Sequence, residues 1–402
     1  MDIRIITPGT VQESEQLIRE TGADPYAVAR MADKAVFRCL LLDGVDNRAA
    51  AIIKQEMLAL GSDAAINSLV SRFIKGSSKV LLMGTLRQYS RLLEKLSGQP
   101  FGLKLWAEKI RVTLNVHSVF SVPYGRKTLT LAPGSAVMGI LNCTPDSFSD
   151  GGDYFDPARA VAHAVEMQAM GASIIDVGGE STRPGSPRVS AKEETARVVP
   201  IIKAVRRALK VPLSIDTYKP EVAEAALDAG ADIINDIAGL RFKKGAMARV
   251  AAQWRAPVII MHMRGTPRTM QKHPRYRDVV AEVTDFFHER VQFARECGVA
   301  DRALILDPGI GFGKTVAHNL VLLRRLSEFA AMGYPLCVGT SRKGFVGVLS
   351  GEKEPSARVA GSLATFLWAA FRGAHIVRVH DVRETVQALS VLLGIIDTKE
   401  NP

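Results

Sequence analysis

The sequence contains 402 residues, of which 47% are apolar and 23% are charged, and its formal net charge is +11. This length is sufficient for one large domain and a smaller one, and the apolar fraction supplies a packed core. The N-terminus lacks a signal sequence, and no apolar run approaches the roughly 18 residues of a membrane span, so we expect a cytoplasmic protein. Basic residues are spread along the chain without runs, which favours a small anionic substrate over a nucleic acid partner.

The spacing of cysteines and histidines indicates neither a zinc site nor a disulfide framework. The cysteines are scattered, at Cys39, Cys143, Cys297 and Cys337. His262 and His273 have no third metal ligand at helical spacing. We therefore expect the thiols, including Cys143, to be packing residues.

The first 125 residues predict a small α/β domain. Apolar runs predict strands at 3–6, 36–42 and 80–83, and amphipathic patterns predict helices at 12–21, 48–60 and 86–96. Chemically reactive side chains are not concentrated here, which favours a role in packing or oligomerisation. The stretch 117–127, with Pro123 and Gly125, is predicted to be a linker, and 129–131 a strand that closes the floor of the following domain.

From about residue 136 onward, a short apolar run followed by a longer helical pattern occurs eight times. The runs are 136–141, 174–177, 213–215, 233–234, 258–261, 304–306, 336–338 and 376–379. Continuous apolar runs indicate strands buried on both faces, and the intervening helices indicate parallel pairing. The pattern predicts a (β/α)₈ TIM barrel over residues 126–402, with the active site at the carboxyl ends of its strands. An open doubly wound sheet is the alternative, because a strand count does not prove closure.

Polar side chains follow all eight predicted strands and would converge at the mouth of such a barrel. They include Asn142, Asp176, Asp216, Asn235, Asp236, His262, Arg264, Asp307, Ser341, Lys343, Arg378 and His380. A single carboxylate of this kind would suggest a helix cap, whereas the complete set predicts a binding site.

The charges in this set sort into two groups. The first consists of Asp216, Asn235 and Asp307. Such a wall of acceptors and amides suits a planar heterocycle with several N–H donors. The second consists of Arg183, Lys343, Arg378 and His380, with the Asn142 loop. Because the loops after the last two strands are the usual phosphate site of TIM barrels, Arg378 and His380 are expected to bind an anion.

The segment 309–315 superficially matches a nucleotide-binding P-loop. Pro308 stands where that motif requires glycine, so the match fails by one residue. A flexible glycine loop beside Asp307, which lets a ligand approach the backbone, is the better interpretation.

Four motifs together resemble those of the dihydropteroate synthase family of folate biosynthesis. They are 142–152 (NCTPDSFSDGG), 176–185 (DVGGESTRPG), 307–314 (DPGIGFGK) and 341–343 (SRK). The resemblance extends from about residue 135 to 390. It implies a transferase on a (β/α)₈ barrel that uses Mg²⁺ and joins 6-hydroxymethyl-7,8-dihydropterin diphosphate to 4-aminobenzoate, releasing diphosphate. Inhibition by sulfonamides, which mimic aminobenzoate, is also implied.

The resemblance further implies a role for each matching residue. Asn142 corresponds to the metal-binding asparagine. The pterin ring would be bound by Asp216, Asn235 and Asp307, with Lys343 beside it and Phe312 also in the substrate site. The residues around the aminobenzoate would be Thr182, Arg183, Pro184 and Ser341. Arg378 and His380 would hold the diphosphate.

These roles suggest a dissociative reaction. Cations that stabilise the developing charge of the diphosphate would favour cleavage of its C–O bond. The catalytic residues would be Asp216 and Asp307, whose anionic side chains beside the ring can stabilise the electron-poor methylene that remains, and Lys343 beside the pterin. A neutral arylamine can then attack without a protein nucleophile.

Three questions stay open at this level. A methyltetrahydrofolate-to-corrinoid methyltransferase uses a related pterin-binding barrel, although it has no diphosphate to hold. A pterin-binding paralogue without catalysis is a non-enzymatic alternative. We expect a homodimer, but the N-terminal domain of about 125 residues is absent from the common short form of the enzyme and leaves the interface open.

Overall fold

Three sheets organise the parts of the chain that the computed structural model describes, which are residues 3–114, 119–143, 157–181 and 186–397. The chain divides into two compact units, Met1–Asn115 and Val116–Pro402. Within the described residues, no helix is both long and apolar enough to cross a membrane. The predictions for Thr182, Arg183 and Pro184, and for the loop 144–152, lie outside the described residues.

The first unit is a three-stranded antiparallel sheet with helices. The strands β1 (Phe37–Asp46), β2 (Asp63–Ile66) and β3 (Ser77–Thr85) pair in the order β1-β3-β2. The helices are α1 (Val11–Glu20), α2 (Pro25–Ala35), α3 (Asn47–Ala59), α4 (Ser68–Ser71), α5 (Leu86–Leu96) and α6 (Leu103–Leu114). Thr85 ends β3 and begins α5 at once, because it forms a capping box with Gln88.

Three predicted helices and two predicted strands of this unit are confirmed as α1, α3, α5, β1 and β3. The strand predicted at 3–6 is wrong. Ile3 and Ile5 are each 97% exposed and pair with no described strand, so apolar character alone did not create a strand there. The sequence pattern also missed β2, α2 and α6.

The second unit begins with a hairpin of β4 (Phe120–Tyr124) and β5 (Lys127–Leu131). The linker predicted over 117–127 is therefore wrong for residues 120–124, since Val122 and Leu131 are buried in one apolar cluster. That cluster also contains Ala136, Met138 and Ile376 from the starts of barrel strands. The strand predicted at 129–131 is thus confirmed, and it covers the floor of the barrel.

Eight parallel strands form the barrel. They are β6 (Ala136–Asn142), β7 (Ile174–Gly178), β8 (Leu213–Asp216), β9 (Ile233–Asp236), β10 (Val258–Met261), β11 (Leu304–Asp307), β12 (Cys337–Val338) and β13 (Ile376–Val379). Their order is β11-β10-β9-β8-β7-β6-β13-β12, and a parallel bridge between Leu306 and Leu336 joins the two ends. This bridge closes the barrel and excludes the open-sheet alternative.

The principal helices outside the barrel alternate with its strands. They are α7 (Pro157–Ala169), α8 (Ala191–Ala208), α9 (Pro220–Asp228), α10 (Ala246–Trp254), α11 (Val279–Glu296), α12 (Val316–Arg324), α13 (Ser327–Ala330), α14 (Gly344–Ser350), α15 (Val359–Phe371) and α16 (Val382–Asp397). The main core lies between these helices and the outward faces of the strands. As the continuous apolar runs predicted, the strands are buried on both faces.

Candidate active site

Strand alternation places the polar residues of the site. The isoleucines Ile174, Ile233, Ile305 and Ile376 point inward at the bottom of the barrel, where they share one apolar cluster. Because side chains two positions apart face the same side of a strand, the residue two positions after each isoleucine also points inward, one layer higher. These residues are Asp176, Asn235, Asp307 and Arg378. The upper interior of the barrel is therefore lined by polar side chains.

Arg378 is the centre of the hydrogen-bond network in this layer. Its Nε lies 2.6 Å from Oδ2 of Asp176, and its Nη2 lies 2.6 Å from Oδ2 of Asp216. Asn235 donates from Nδ2 to the same oxygen of Asp176, at 3.2 Å. The predicted division into an acidic group and a separate basic group is therefore wrong for Arg378. Burying a carboxylate is costly unless a cation pairs with it, and Arg378 is the cation that pairs with these two.

The second oxygens of the two carboxylates are available to a ligand. Oδ1 of Asp176 and Oδ1 of Asp216 are buried, and neither accepts a hydrogen bond from a described residue. Burial raises the pKa of Asp216 to about 7, although the Arg378 guanidinium opposes this shift. A ligand that donates N–H groups would satisfy these oxygens and favour the ionised form of Asp216.

Asp307 lies at the end of β11, which is separated from β13 and Arg378 only by β12 in the closed barrel. Its Oδ1 accepts a hydrogen bond from the backbone N–H of Gly309, at 2.7 Å. Burial raises the pKa of this carboxyl, whereas the Gly309 N–H and the positive charge of Lys343 lower it. Asp307 is thus a fixed acceptor whose charge depends on its neighbours.

Lys343 reaches the site from the loop after β12. Its Nζ donates to the carbonyl of Ile310 and lies 4.1 Å from the centre of the Phe312 ring. Burial lowers the pKa of Lys343 to about 7, although Asp307 opposes this shift. A Cβ on Gly311 would lie 2.8 Å from Cδ of Lys343, so the absence of a side chain at 311 leaves room for the lysine.

The residues around Lys343 hold its loop in an unusual backbone conformation. Arg342 has a φ of 56°, in the left-handed region, and its guanidinium pairs with Asp381. Ser341 Oγ accepts from the backbone N–H of His380 at 3.1 Å and lies 2.9 Å from Nδ1 of the same residue. The structure therefore brings Ser341 into contact with His380, with Lys343 two residues further along the same loop, and backbone strain at Arg342 is consistent with a functional loop.

The segment that carries Thr182, Arg183 and Pro184 lies outside the described residues, but its two ends are fixed. Oγ of Ser181 lies 2.9 Å from Oγ of Ser186. Next to Ser181, the carboxylate of Glu180 pairs with Lys219, which also pairs with the buried Glu194 on α8. These contacts fix the base of the loop after β7.

Asn142 ends β6 and is partly buried at the mouth. Within the described part of the chain, no cluster of three or more His, Cys, Asp or Glu residues could hold a metal ion. Mg²⁺ commonly keeps several waters and binds through one or two protein oxygens and the phosphates of a substrate. The side-chain oxygen of Asn142 fits that mode, in which the substrate supplies the remaining charge.

Two features of the network were missed or were given no role from the sequence. The sequence pattern places Asp176 among many strand-end residues without assigning it a role, although a carboxylate inside an apolar strand is a signal for a buried partner. Lys314 is 2% exposed, and the sequence motifs that contain it predict no role for its side chain. Cys143 is buried and its pKa is raised to about 12 by burial, which agrees with a packing role.

The barrel that carries the polar layer is similar in sequence and structure to known proteins. The sequence profile of the family described as "Pterin binding enzyme" matches residues 138–380, a range that includes the carboxyl ends of all eight barrel strands. The chain belongs to this family. Dihydropteroate synthase from Escherichia coli strain K12 is 51% identical over 265 residues, covering 66% of this chain and 93% of the relative. A solved structure of Xanthomonas albilineans dihydropteroate synthase with 4-aminobenzoic acid matches with a TM-score of 0.66 and 44% identity, covering 70% of this chain and 100% of that chain.

Similarity to some relatives extends into the first unit. A probable bifunctional folylpolyglutamate synthase/dihydropteroate synthase from Haloferax volcanii is 41% identical over an alignment of 389 residues, which covers 94% of this chain. The chain spans about half the length of that relative, since the match covers 46% of it. Family membership is thus carried by the barrel, while similarity to this relative includes most of the additional N-terminal residues.

Proposed function

We propose that this chain is a dihydropteroate synthase of folate biosynthesis. In the proposed reaction, the C–O bond between the methylene of 6-hydroxymethyl-7,8-dihydropterin and its diphosphate breaks. A C–N bond then forms between that methylene and the amine of 4-aminobenzoate. The amine loses one proton, and the products are 7,8-dihydropteroate and diphosphate.

The observation that carries the proposal is the polar layer at the barrel mouth. Asp216 offers a buried oxygen without a described partner, and Asn235 and Asp307 lie on neighbouring parts of the same interior. A pterin ring presents several N–H donors in one plane, and such a ring would satisfy these acceptors. Lys343 and Phe312 contact each other and would lie against the ring.

Charge stabilisation accounts for catalysis in this proposal. Arg378 and His380 bind the departing diphosphate, while the anions Asp216 and Asp307 stabilise the positive charge that develops on the pterin methylene. Arg378 is suited to a double role, because two of its N–H groups bind carboxylates and the others remain for phosphate oxygens. Lys343 orients the ring through its contact with Phe312.

We further propose that Asn142 contributes an oxygen ligand to Mg²⁺. When it is bound, this ion neutralises charge on the diphosphate and so makes it a better leaving group. Asn142 holds the diphosphate end of the substrate at β6, next to β13, which carries Arg378. The aminobenzoate is proposed to bind near Thr182, Arg183, Pro184 and Ser341, where sulfonamides would compete with it.

The test is a coupled assay on the purified chain with Mg²⁺ and both substrates. We expect diphosphate release that depends on 4-aminobenzoate, with dihydropteroate identified by mass spectrometry and inhibition by a sulfonamide. Pterin binding without turnover would instead support a non-catalytic paralogue. Absence of both turnover and pterin binding would contradict the proposal.

We also propose a cytoplasmic homodimer without a nucleic acid partner. Apolar side chains that are more than half exposed lie on the neighbouring helices α14, α15 and α16; they are Val348, Leu349, Phe371, Val391 and Ile395. Clusters of exposed apolar side chains commonly mark protein interfaces. Light scattering of the wild type and of Phe371→Glu tests this, and a monomeric wild type would contradict it.

A further inference from the structure

The segment 309–313, here called the glycine loop, connects Asp307 to the start of α12. Each of its five carbonyl groups has a side-chain donor. Lys314 Nζ donates to Gly309 O at 2.9 Å and to Phe312 O at 3.0 Å. The other three carbonyls accept hydrogen bonds from different side chains: Ile310 O from Lys343, Gly311 O from Gln271, and Gly313 O from Tyr276. The conformation of this loop is therefore set by side chains rather than by a helix or a sheet.

Lys314 is the internal member of this set of donors. It is 2% exposed, and its Nζ also lies 2.9 Å from Nδ1 of His262. Burying an amino group is costly unless each of its hydrogens has an acceptor, and here three acceptors lie within 3.0 Å. Such complete pairing of a buried lysine indicates a specific structural task.

The glycine loop also lies directly against the backbone after β10. A Cβ on Gly309 would be 1.9 Å from the carbonyl oxygen of His262, and one on Gly313 would be 2.5 Å from that of Arg264. Gly309, Gly311 and Gly313 have φ values of 64°, 85° and 66°, in the left-handed region. The close backbone contact and the hydrogen bonds from Lys314 together restrict the loop to one conformation.

That arrangement determines what surrounds Lys343. The Ile310 carbonyl accepts from its Nζ, and the Phe312 ring lies 4.1 Å from the same atom. Lys314 donates hydrogen bonds to the carbonyl of Gly309, the residue before Ile310, and to the carbonyl of Phe312 itself. A shift of the loop would therefore move both contacts of Lys343.

We infer that Lys314, held by His262, is a positioning residue that fixes the glycine loop and thereby orients Lys343 and Phe312 toward the pterin. Neither Lys314 nor His262 needs to touch the substrate for this role. The inference rests on the proposed function, because it assumes that Lys343 and Phe312 contact a pterin ring.

The first experiment compares Lys314→Met with the wild type. Methionine keeps much of the buried stem but has no donor for the two loop carbonyls. We expect affinity for 6-hydroxymethyl-7,8-dihydropterin, measured by calorimetry, to fall about tenfold. The reason is that loop carbonyl groups left buried without a donor destabilise the loop conformation that orients Lys343 and Phe312 toward the pterin. The matched control is Lys203→Met, at an exposed lysine on α8, for which we expect unchanged affinity.

A second pair of variants separates positioning from packing. Asparagine at 262 retains a side-chain acceptor near the position of Nδ1, whereas leucine has a similar volume and no acceptor. We expect His262→Leu to reproduce the loss seen in Lys314→Met, and His262→Asn to stay within about threefold of the wild type. Thermal melting of each variant verifies folding, and the His262 pair decides the question if Lys314→Met does not fold.

The outcomes distinguish this inference from the proposed function. A wild type that does not bind the pterin contradicts the proposed function itself. If the wild type binds and Lys314→Met binds equally well, only the positioning role is overturned. Equal losses in His262→Leu and His262→Asn would likewise overturn it, because the acceptor would then be irrelevant.

Discussion

Arg378 and Asp216 form an ion pair across the barrel interior, with Nη2 of the arginine 2.6 Å from Oδ2 of the aspartate. Their strands are not neighbours, because β6 and β7 lie between β13 and β8. The same guanidinium reaches Asp176 on β7 through Nε. One side chain thus connects three strands of the site and pairs with two carboxylates that are almost inaccessible to solvent.

Replacement of Arg378 should therefore affect stability as well as activity. We expect Arg378→Met to lower the free energy of unfolding by about 3–5 kcal/mol, because it leaves two buried carboxylates without a cation. Arg378→Lys should lose less, since a lysine can pair with one carboxylate but cannot bridge two. Urea unfolding and the rate of diphosphate release measure the two effects. Arg302→Met, at an exposed position, is the control, and an equal loss there would contradict the argument.

Gly311 and Gly351 offer a matched test of the space reserved for Lys343. Both have a left-handed φ, 85° and 77°, so alanine should cost about 1–2 kcal/mol of stability at either position. A Cβ at 311 would lie 2.8 Å from Cδ of Lys343, whereas a Cβ at 351 meets no atom within 4 Å. We expect Gly311→Ala to reduce kcat/KM for the pterin substrate strongly and Gly351→Ala to leave it unchanged. Equal kinetics in both variants would show that Lys343 does not need this space.

The sequence predicts the barrel well because its strands follow a simple physical rule. Strands buried on both faces are continuous runs such as 258–261, and eight such runs with helices between them match the size of a barrel. Closure itself is established by the bridge between Leu306 and Leu336. Prediction was poorer in the first unit, where β2 is only four residues long and has the sequence DAAI. Such a short, weakly apolar strand forms only because β3 pairs with it, and that partner is not visible locally.

For the site, the sequence identifies the polar residues but not their pairing. Arg378 and Asp176 are 202 positions apart, and they meet because barrel closure places β13 beside β6 and β7 one strand further on. Whether Arg378, Lys343 or His380 would neutralise Asp176 depends on angstrom-scale geometry. The role of Lys314 was hidden for the same reason, since its acceptors include backbone carbonyls, which any sequence supplies.

The two units should unfold in separate thermal transitions, because each has a hydrophobic core made of its own residues. A ligand that binds to the barrel should raise the midpoint temperature of only one of the two transitions. At a pterin concentration of 100 times its Kd, linkage contributes about 2.7 kcal/mol, which should raise that transition by roughly 5 °C or more. Scanning calorimetry of the full chain with and without pterin measures this. A single transition that shifts as a whole would contradict it.

The pH dependence of kcat/KM should be bell-shaped with its maximum near pH 7. Asp216 must be ionised to accept N–H groups, and burial raises its pKa to about 7, so activity falls as pH decreases through that value. Lys343 must be protonated, and burial lowers its pKa to about 7, so activity also falls as pH increases. These limbs belong to coupled groups, and variants are needed to assign them.

Lys343→Arg assigns the alkaline limb, because arginine stays protonated throughout the accessible pH range. We expect this variant to have a lower maximal rate, with an alkaline limb that is absent up to about pH 9. Asp216→Asn should remove the acid limb in the same way, because its amide does not titrate. If the alkaline limb persists unchanged in Lys343→Arg, the group that loses its proton near pH 7 is not Lys343, and the orienting cation beside the pterin must be sought elsewhere in the mouth.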